Sequence, residues 1–138
     1  MKMGLDQRGF TMLEVLVTVV LLGILATFAV PRFANATMLA NTAKVQNDLQ
    51  TLDAAIAIYE MEKGTEPSKL SDLAEYVRDL DSLHPPKGAC KLRGGEEVVV
   101  DDDAYSISAA VTTGSTMNTR AFCEGHVASD FGTFGKKE

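Results

Sequence analysis

Glu14 is the residue whose type and position say most about the chemistry of this chain. It is the only ionisable side chain between Phe10 and Pro31, in a run made almost entirely of apolar residues. A carboxylate costs about 2.5 to 3.5 kcal/mol at the centre of a bilayer and less near its surface, so it is rarely incidental there. An opposite charge on another chain would offset that cost. The alternative is a carboxylate at the membrane surface, in contact with headgroups or water.

No other residues have the spacing of a catalytic or metal site. His84 and His126 are isolated, and the G-x-S-x-G, H-E-x-x-H and P-loop patterns are absent. Asp101, Asp102 and Asp103 are weak candidates for calcium ligands, because they lack the EF-hand spacing and acidic turns are usually solvated. We therefore expect no catalysis, no cofactor and no metal.

Cys90 and Cys123 are the only two cysteines. They lack the spacing of a zinc or thioredoxin-like motif, and an even number behind an export signal favours a disulfide. A bond closing a loop of this length stabilises a fold by roughly 4 kcal/mol in the chain-entropy model. The region after the apolar helix is small enough for such a bond to matter. The alternative is two free thiols in a reducing compartment.

A disulfide would also gather four cations into one candidate interaction patch: Lys87, Lys91, Arg93 and Arg120. Such a patch fits DNA, another subunit or an anionic surface, although neighbouring glutamates partly neutralise it. An ordinary solvated surface is the alternative. The formal net charge of −6 argues against generic binding to nucleic acid.

The elements that must position Glu14 begin with a membrane-length helix. At 1.5 Å per residue, Phe10 to Val30 spans about 31 Å, close to the hydrocarbon thickness of a bilayer. Lys2 and Arg8 place the first nine residues in the cytoplasm and the bulk of the chain outside.

An ordinary signal peptide is a competing interpretation of the same segment. Ala34-Asn35-Ala36 fits the A-x-A cleavage pattern, and the mature chain would then begin at Thr37. The length of the apolar run, the presence of Glu14 and the helical periodicity that continues across this cleavage point all argue against it.

A second helical half follows the apolar run. Apolar residues recur there at spacings of four and three, which places them on one helix face: Val45, Leu49, Leu52, Ile56 and Tyr59. The pattern predicts one helix from about Thr11 to Glu62, with Gly64 as its C-terminal cap. Pro31 predicts a kink and Gly23 a second weak point.

The remainder of the chain predicts a small mixed head. A short helix is expected at 68–80, with Ser68 or Ser71 as its N-cap. From Glu96 onward, short β-prone runs separated by turns indicate an antiparallel meander, with strands at 98–100, 105–107 and 121–123 and near Val127. Packed on the apolar helix face, the meander gives an α+β fold, a head on a helical stalk.

The segment Gly9-Phe10-Thr11-Met12-Leu13-Glu14 resembles the processing site of type IV pilins and type II secretion pseudopilins. Gly23 and Pro31 also match that family, and the resemblance is close over about Arg8 to Arg32. It implies cleavage by a prepilin peptidase between Gly9 and Phe10, and N-methylation of Phe10. It also implies an ion pair between Glu14 and the amine of Phe10 on a neighbouring subunit.

The resemblance implies a division of the chain into four parts. Residues 1–9 are the leader peptide, 10–31 the transmembrane and filament-core helix, 32–62 the amphipathic helical half and 63–138 the α+β head with its Cys90–Cys123 loop. The implied function is that of a structural subunit of a type IV pilus-like filament. The subunit waits in the inner membrane as a single-pass protein and is then assembled into an extracellular or periplasmic filament.

The resemblance also implies the partners and two alternative functions. The partners are copies of the chain itself, the prepilin peptidase, an assembly ATPase, a membrane platform protein and minor pilins. The alternatives are the major pseudopilin of a type II secretion system and a DNA-uptake pilin. The expected disulfide and the absence of the Asp-Pro-Trp-Gly-like segment common in major pseudopilins favour the pilus subunit, and only the cation patch favours DNA uptake.

We predict that the mature chain begins at N-methylated Phe10, because Gly9 places no side chain in the way of a peptidase that approaches the scissile bond. The intact mass of the membrane-bound protein, or its N-terminal sequence, measures this directly. A mature chain that begins at Thr37 would establish the ordinary signal peptide instead.

Overall fold

A computed structural model of the chain describes residues 11–110 and 118–132. Gly9 and Phe10 lie outside these ranges, so the predicted cleavage and methylation stay predictions. The chain divides into two compact units, Met1–Ala36 and Thr37–Glu138. The first of them contributes the apolar half of a long helix and the second contains the head.

Helix α1 extends from Met12 to Lys63 and continues through Gly23 and Pro31. It ends as the sequence predicts. Gly64 takes a φ of 70°, a conformation that costs glycine little, and its N–H donates to the carbonyl of Glu60 at 2.9 Å. The predicted single long helix is confirmed, whereas the kink at Pro31 stays a prediction.

The head contains two separate antiparallel hairpins rather than one continuous meander. Strand β1, Gly88–Lys91, pairs with β2, Glu97–Val100, and strand β3, Ser106–Ala110, pairs with β4, Asn118–Phe122. The sequence analysis missed β1, because a four-residue strand that contains glycine and lysine carries no β signal. The α+β class, with one long helix on small antiparallel sheets, is confirmed.

The strand predicted near Val127 is wrong, because the chain turns sharply just before it. His126 makes an isolated antiparallel bridge with Cys123 across a two-residue turn. Both residues of that turn, Glu124 and Gly125, have positive φ, which matches the twist of a tight hairpin.

The short helix predicted at 68–80 is also wrong in type. The segment forms two 3₁₀ turns, Leu70–Leu73 and Leu80–Ser82, joined by further turns. The carboxylate of Asp72 accepts the backbone N–H groups of Ser68 and Lys69, at 3.0 and 3.1 Å, which favours a tight turn at the start. Leu73 and Val77 are buried, and Leu70 and Leu80 pack against the core.

The core of the head lies on the predicted face of α1. Val45, Leu49 and Leu52 are fully buried, Ile56 is nearly so, and Tyr59 packs against them from the edge. The head supplies the rest of this cluster, chiefly Leu73, Cys90, Val100, Ala121, Cys123 and Phe131. The spacing of apolar residues therefore identified the buried face correctly.

Three polar side chains along the inward side of α1 fasten the head to the helix, and we call them the polar rungs: Thr42, Asp48 and Asp53. The hydroxyl of Thr42 accepts the N–H of Lys91 in β1 at 2.7 Å. The carboxylate of Asp48 accepts the hydroxyl of Tyr105 at 2.7 Å. Each rung contacts a different segment of the head, so together they set the register of the head along the helix.

Asp48 is the more buried of the two carboxylates among the polar rungs, with 7% of its surface exposed. Lys44, one turn earlier on α1, forms an ion pair with it and also donates to the carbonyl of His84 at 2.9 Å. A buried carboxylate is tolerated only when it is paired and hydrogen-bonded, and both conditions hold here. Burial and the Asp48 carboxylate together raise the pKa of Tyr105 well above its usual value, so its hydroxyl stays a donor.

Asp53 holds strand β4 through both carboxylate oxygens. Its Oδ2 accepts Nε and Nη2 of Arg120 at 3.0 and 2.8 Å, and its Oδ1 accepts the N–H of Ala121 at 2.9 Å. Ala121 is fully buried, so no water is at hand to replace the carboxylate on its N–H group.

We predict that Asp53→Ala lowers the free energy of unfolding of the head by about 1 to 3 kcal/mol, because it leaves a buried backbone donor and a guanidinium without their acceptor. Thermal unfolding of the full-length protein in detergent, followed by circular dichroism, measures the effect. Asp81→Ala is the matched control, since Asp81 is exposed, and it should leave the midpoint unchanged. Equal midpoints for the two variants would contradict the role of Asp53.

Candidate functional site

The candidate functional site is the apolar first half of α1, which we call the apolar run, Met12–Phe33. Its large hydrophobic side chains are exposed, from 48% for Val17 to 94% for Met12. Soluble monomers rarely expose contiguous apolar surface on this scale, and such surface marks contact with a membrane or another protein. By length and composition α1 is the one helix among the described residues that is able to cross a membrane, with a mean hydropathy of 2.5 in its most apolar window.

Glu14 lies in the first turn of α1, in a capping box with Thr11. The N–H of Glu14 donates to the Thr11 hydroxyl at 3.3 Å, and the N–H of Thr11 donates to Glu14 Oε2 at 3.4 Å. The carboxylate also lies at the positive end of the helix dipole. The sequence analysis missed this local role, although the signal for it, T-x-x-E before an apolar run, was present.

The capping box leaves the carboxylate of Glu14 accessible. The residue is exposed, and within residues 11–110 and 118–132 no cation lies at ion-pair distance from it. The contact with Thr11 is long, so it satisfies Glu14 only weakly. The predicted partner, the amine of Phe10 on another subunit, lies outside the described residues and stays a prediction.

The threonine hydroxyl groups inside the apolar run are bonded within the helix. The hydroxyl of Thr18 donates to the carbonyl of Glu14, and that of Thr27 donates to the carbonyl of Ile24, both at 2.7 Å. A hydroxyl bonded to its own helix adds no unpaired polar group to an apolar surface. The run therefore presents apolar atoms, the carboxylate of Glu14 in its first turn and the guanidinium of Arg32 near its end.

The four cations predicted to form an interaction patch have different surroundings. Arg120 is bonded to Asp53, and Lys87 forms an ion pair with Asp103 at 2.7 Å and donates to the carbonyl of Asp101 at 3.0 Å. Arg93 lines a surface groove beside α1. Two of the four cations are thus held by carboxylates, which weakens the case for an anion-binding patch.

The acidic loop after β2, residues 101–103, is held by side chains. Lys87 lowers the pKa of Asp103, and the carboxylate of Glu124 accepts the N–H groups of Asp101 and Asp102 at 2.7 and 2.9 Å. Those two hydrogen bonds lower the pKa of Glu124. Among the described residues no group of three His, Cys, Asp or Glu side chains is placed to hold a metal. The weak calcium candidate gains no support.

Cys90 and Cys123 are both buried in the core of the head and are free thiols in this structure, not the predicted disulfide. Burial raises the pKa of both, that of Cys123 to about 12. Because the thiolate is the reactive form, these thiols exchange slowly once the core has closed. Burial therefore favours formation of a disulfide before the core closes.

Comparisons with known proteins agree with the N-terminal resemblance. Residues 5–30 match the model of the prokaryotic N-terminal methylation motif. The chain is 40% identical over 85 residues to the type II secretion system core protein G of Vibrio cholerae, which covers 62% of this chain and 58% of the relative. It is 37% identical over 74 residues to the protein of the same name from Pectobacterium carotovorum subsp. carotovorum, covering 54% and 47%.

A third relative of the same name, from Pseudomonas aeruginosa, is 32% identical over 82 residues, covering 59% of this chain and 58% of that protein. The chain spans about half the length of the curated relatives it matches. No solved structure matches the chain significantly. The predicted resemblance to type IV pilins and pseudopilins is confirmed.

We predict that Cys90 and Cys123 are joined in protein that has been exported. Two thiols lose two protons and two electrons to the disulfide of an exchange oxidant outside the cytoplasm, before the core closes. Alkylation of the denatured, unreduced protein followed by mass measurement should find no free thiol. Two alkylated cysteines in exported protein would refute the disulfide.

Proposed function

We propose that this chain, which carries the N-terminal motif of the type IV pilin and pseudopilin family, is the major pseudopilin of a type II secretion system. It waits in the inner membrane as a single-pass protein and is assembled through α1 into a short periplasmic filament. It has a structural role in this system and performs no catalysis.

The observation that carries this proposal is the exposed apolar run with its single carboxylate. Before assembly, lipid covers these side chains, because the run matches the thickness of a bilayer. After assembly, the same side chains of neighbouring copies cover one another, so the run stays away from water in both states. A helix that serves only as an anchor has no need for Glu14, whereas a helix that moves from lipid into a bundle of copies uses it to fix its position.

Glu14 acts in assembly through an ion pair with the amine of Phe10 on the neighbouring subunit. Two opposite charges in a dry bundle offset each other's loss of hydration, and each is costly there without the other. The capping box with Thr11 is compatible with this pair, because it holds the carboxylate at the first turn of α1, close to the N-terminus that cleavage creates.

The relatives shift the choice between the two leading functions. The sequence analysis favoured a pilus subunit, but the three relatives described above are named as core protein G of a type II secretion system. The pilus subunit is therefore the second candidate, favoured by the cysteine pair and by the absence of an Asp-Pro-Trp-Gly-like segment. A surface filament lost on deletion of this chain, with secretion intact, would favour the pilus.

The proposed partners follow from this function. They are further copies of the chain, a prepilin peptidase, an assembly ATPase, a membrane platform protein and minor subunits of the same family. Binding of DNA is not part of the proposal, because Lys87 and Arg120 are engaged with carboxylates of the head itself.

We predict that Glu14→Ala leaves the subunit processed and inserted in the membrane but lowers the yield of sheared filaments more than 100-fold. The incoming amine would enter an apolar bundle without a counter-charge, and breaking such a pair costs about 3 to 5 kcal/mol. The measurement compares filament yield with the amount of membrane-bound subunit, in a strain without the wild-type chain.

Two further variants separate the ion pair from the capping box. Glu14→Gln keeps a capping-box side chain but removes the charge, and it should fail like the alanine variant. Thr11→Ala removes the cap but keeps the carboxylate, and it should assemble. Normal filament yield from Glu14→Gln would refute the ion-pair mechanism and leave capping of the first helical turn as the role of Glu14.

A further inference from the structure

On the outward side of α1, within the head, one continuous strip of side chains carries no charge. This outer seam consists of residues spaced by three, four or seven positions on one helix face: Leu39, Ala43, Gln50, Ala54, Ala57 and Met61. All six are exposed, Leu39 to 44% and Met61 to 88%. Five of the six are apolar, and three are alanine, which lets another backbone approach closely.

The charged residues of this helical stretch lie off the seam, and most of them contact the head. Asp48 and Asp53 are the carboxylate rungs, Lys44 bridges Asp48 and the carbonyl of His84, and Glu62 accepts the hydroxyl of Tyr76 at 2.6 Å. In an ordinary surface helix the charges occupy the face opposite the core. This reversal indicates that the outer seam is covered by another molecule when the protein works.

A second copy of the chain supplies a surface of matching chemistry and length. Apart from Val99 and the seam region itself, the exposed large hydrophobic side chains of the described residues all belong to the apolar run. The run, Met12–Phe33, and the seam, Leu39–Met61, each extend about 33 Å at helical rise. Between Glu14 and Arg32 the run carries no charge, so an uncharged, alanine-rich seam accepts that stretch without burying an unpaired charge.

The charges near the two ends of the seam select the direction of the second helix. At the Leu39 end, Arg93 lines a groove of about 350 Å³ together with Leu39, Ala43 and Phe131. At the Met61 end lie Glu60, Glu62 and Lys63, and Glu60 Oε1 is a buried oxygen with no hydrogen-bond partner among the described residues. The single carboxylate of the run, Glu14, is therefore favoured beside Arg93 and disfavoured beside Glu60.

We propose that the outer seam of one copy packs, in parallel, against the apolar run of another copy displaced by about 27 residues, or roughly 40 Å along the helix axis. This displacement aligns Met12 with Leu39 and Phe33 with the seam end near Met61, and it brings Glu14 to the groove that Arg93 lines. Parallel packing is also the arrangement available to chains inserted in one membrane with one orientation. The inference rests on the proposed filament function and adds a contact between specific faces.

Disulfide crosslinking between two differently tagged full-length copies, expressed together with the secretion machinery, tests the direction and displacement. Ala43→Cys in one copy should crosslink with Leu16→Cys in the other, and Ala57→Cys with Val30→Cys. The exchanged pairs, Ala43→Cys with Val30→Cys and Ala57→Cys with Leu16→Cys, are those an antiparallel contact would join, and they should give at least tenfold less mixed dimer. Ala74→Cys, an exposed alanine away from the seam, is the control for random collision.

A charge placed in the seam provides a second, independent measurement. Ala54→Lys should lower the filament yield at least tenfold at an unchanged level of membrane-bound subunit, whereas Ala74→Lys, the same change at another exposed alanine, should not. Filaments that form normally with Ala54→Lys, or exchanged pairs that crosslink as well as the matched ones, would overturn the seam contact and leave the filament function standing. No filament from the wild-type chain with the full machinery would overturn both.

Discussion

The pairing of carboxylates on the inward side of α1 is the constraint on which the head depends. Asp48 and Asp53 lose most of their hydration when the head packs on the helix. The head supplies hydrogen-bond donors to both: Tyr105 to Asp48, which Lys44 of the helix also pairs, and Arg120 with the backbone of Ala121 to Asp53. Apolar contacts alone would let the hairpins slide along the helix, whereas hydrogen-bond donors at fixed positions hold them in place. The rungs therefore convert a hydrophobic stripe into a single register.

The same arrangement decides what the rest of α1 offers to other molecules. With its charges committed to the head, the helix keeps an uncharged outer seam in its second half and an apolar run in its first. Glu14 and Arg32 are the charged exceptions in the first half. Glu14 serves the first turn locally as a cap while its carboxylate stays accessible for a charge on another chain. A protein that passes from lipid into a filament needs surfaces that tolerate both surroundings, and uncharged helix faces with one placed carboxylate meet that need.

How far the sequence predicts the fold depends on the range of the interactions that form each element. The helix end at Gly64 and the buried face through Val45 and Ile56 follow from neighbours three or four positions apart, and both were predicted correctly. The errors fall where structure depends on distant partners. Strand β1 exists because β2 pairs with it, and the 68–80 segment takes 3₁₀ turns against the core, neither of which local propensity indicates.

For the site, the sequence by itself determined the apolar run, the isolated Glu14 and the prepilin-like processing motif, because each is a property of consecutive residues. Only the tertiary structure determined which partner each charged side chain has. Asp53 and Arg120 are 67 positions apart, so no pattern indicates that they pair, and the pairing removes Arg120 from the predicted cation patch. The uncharged outer seam likewise emerged only once the partners of Asp48 and Glu62 were known, since a helix periodicity fixes which residues share a face but not which face the head covers.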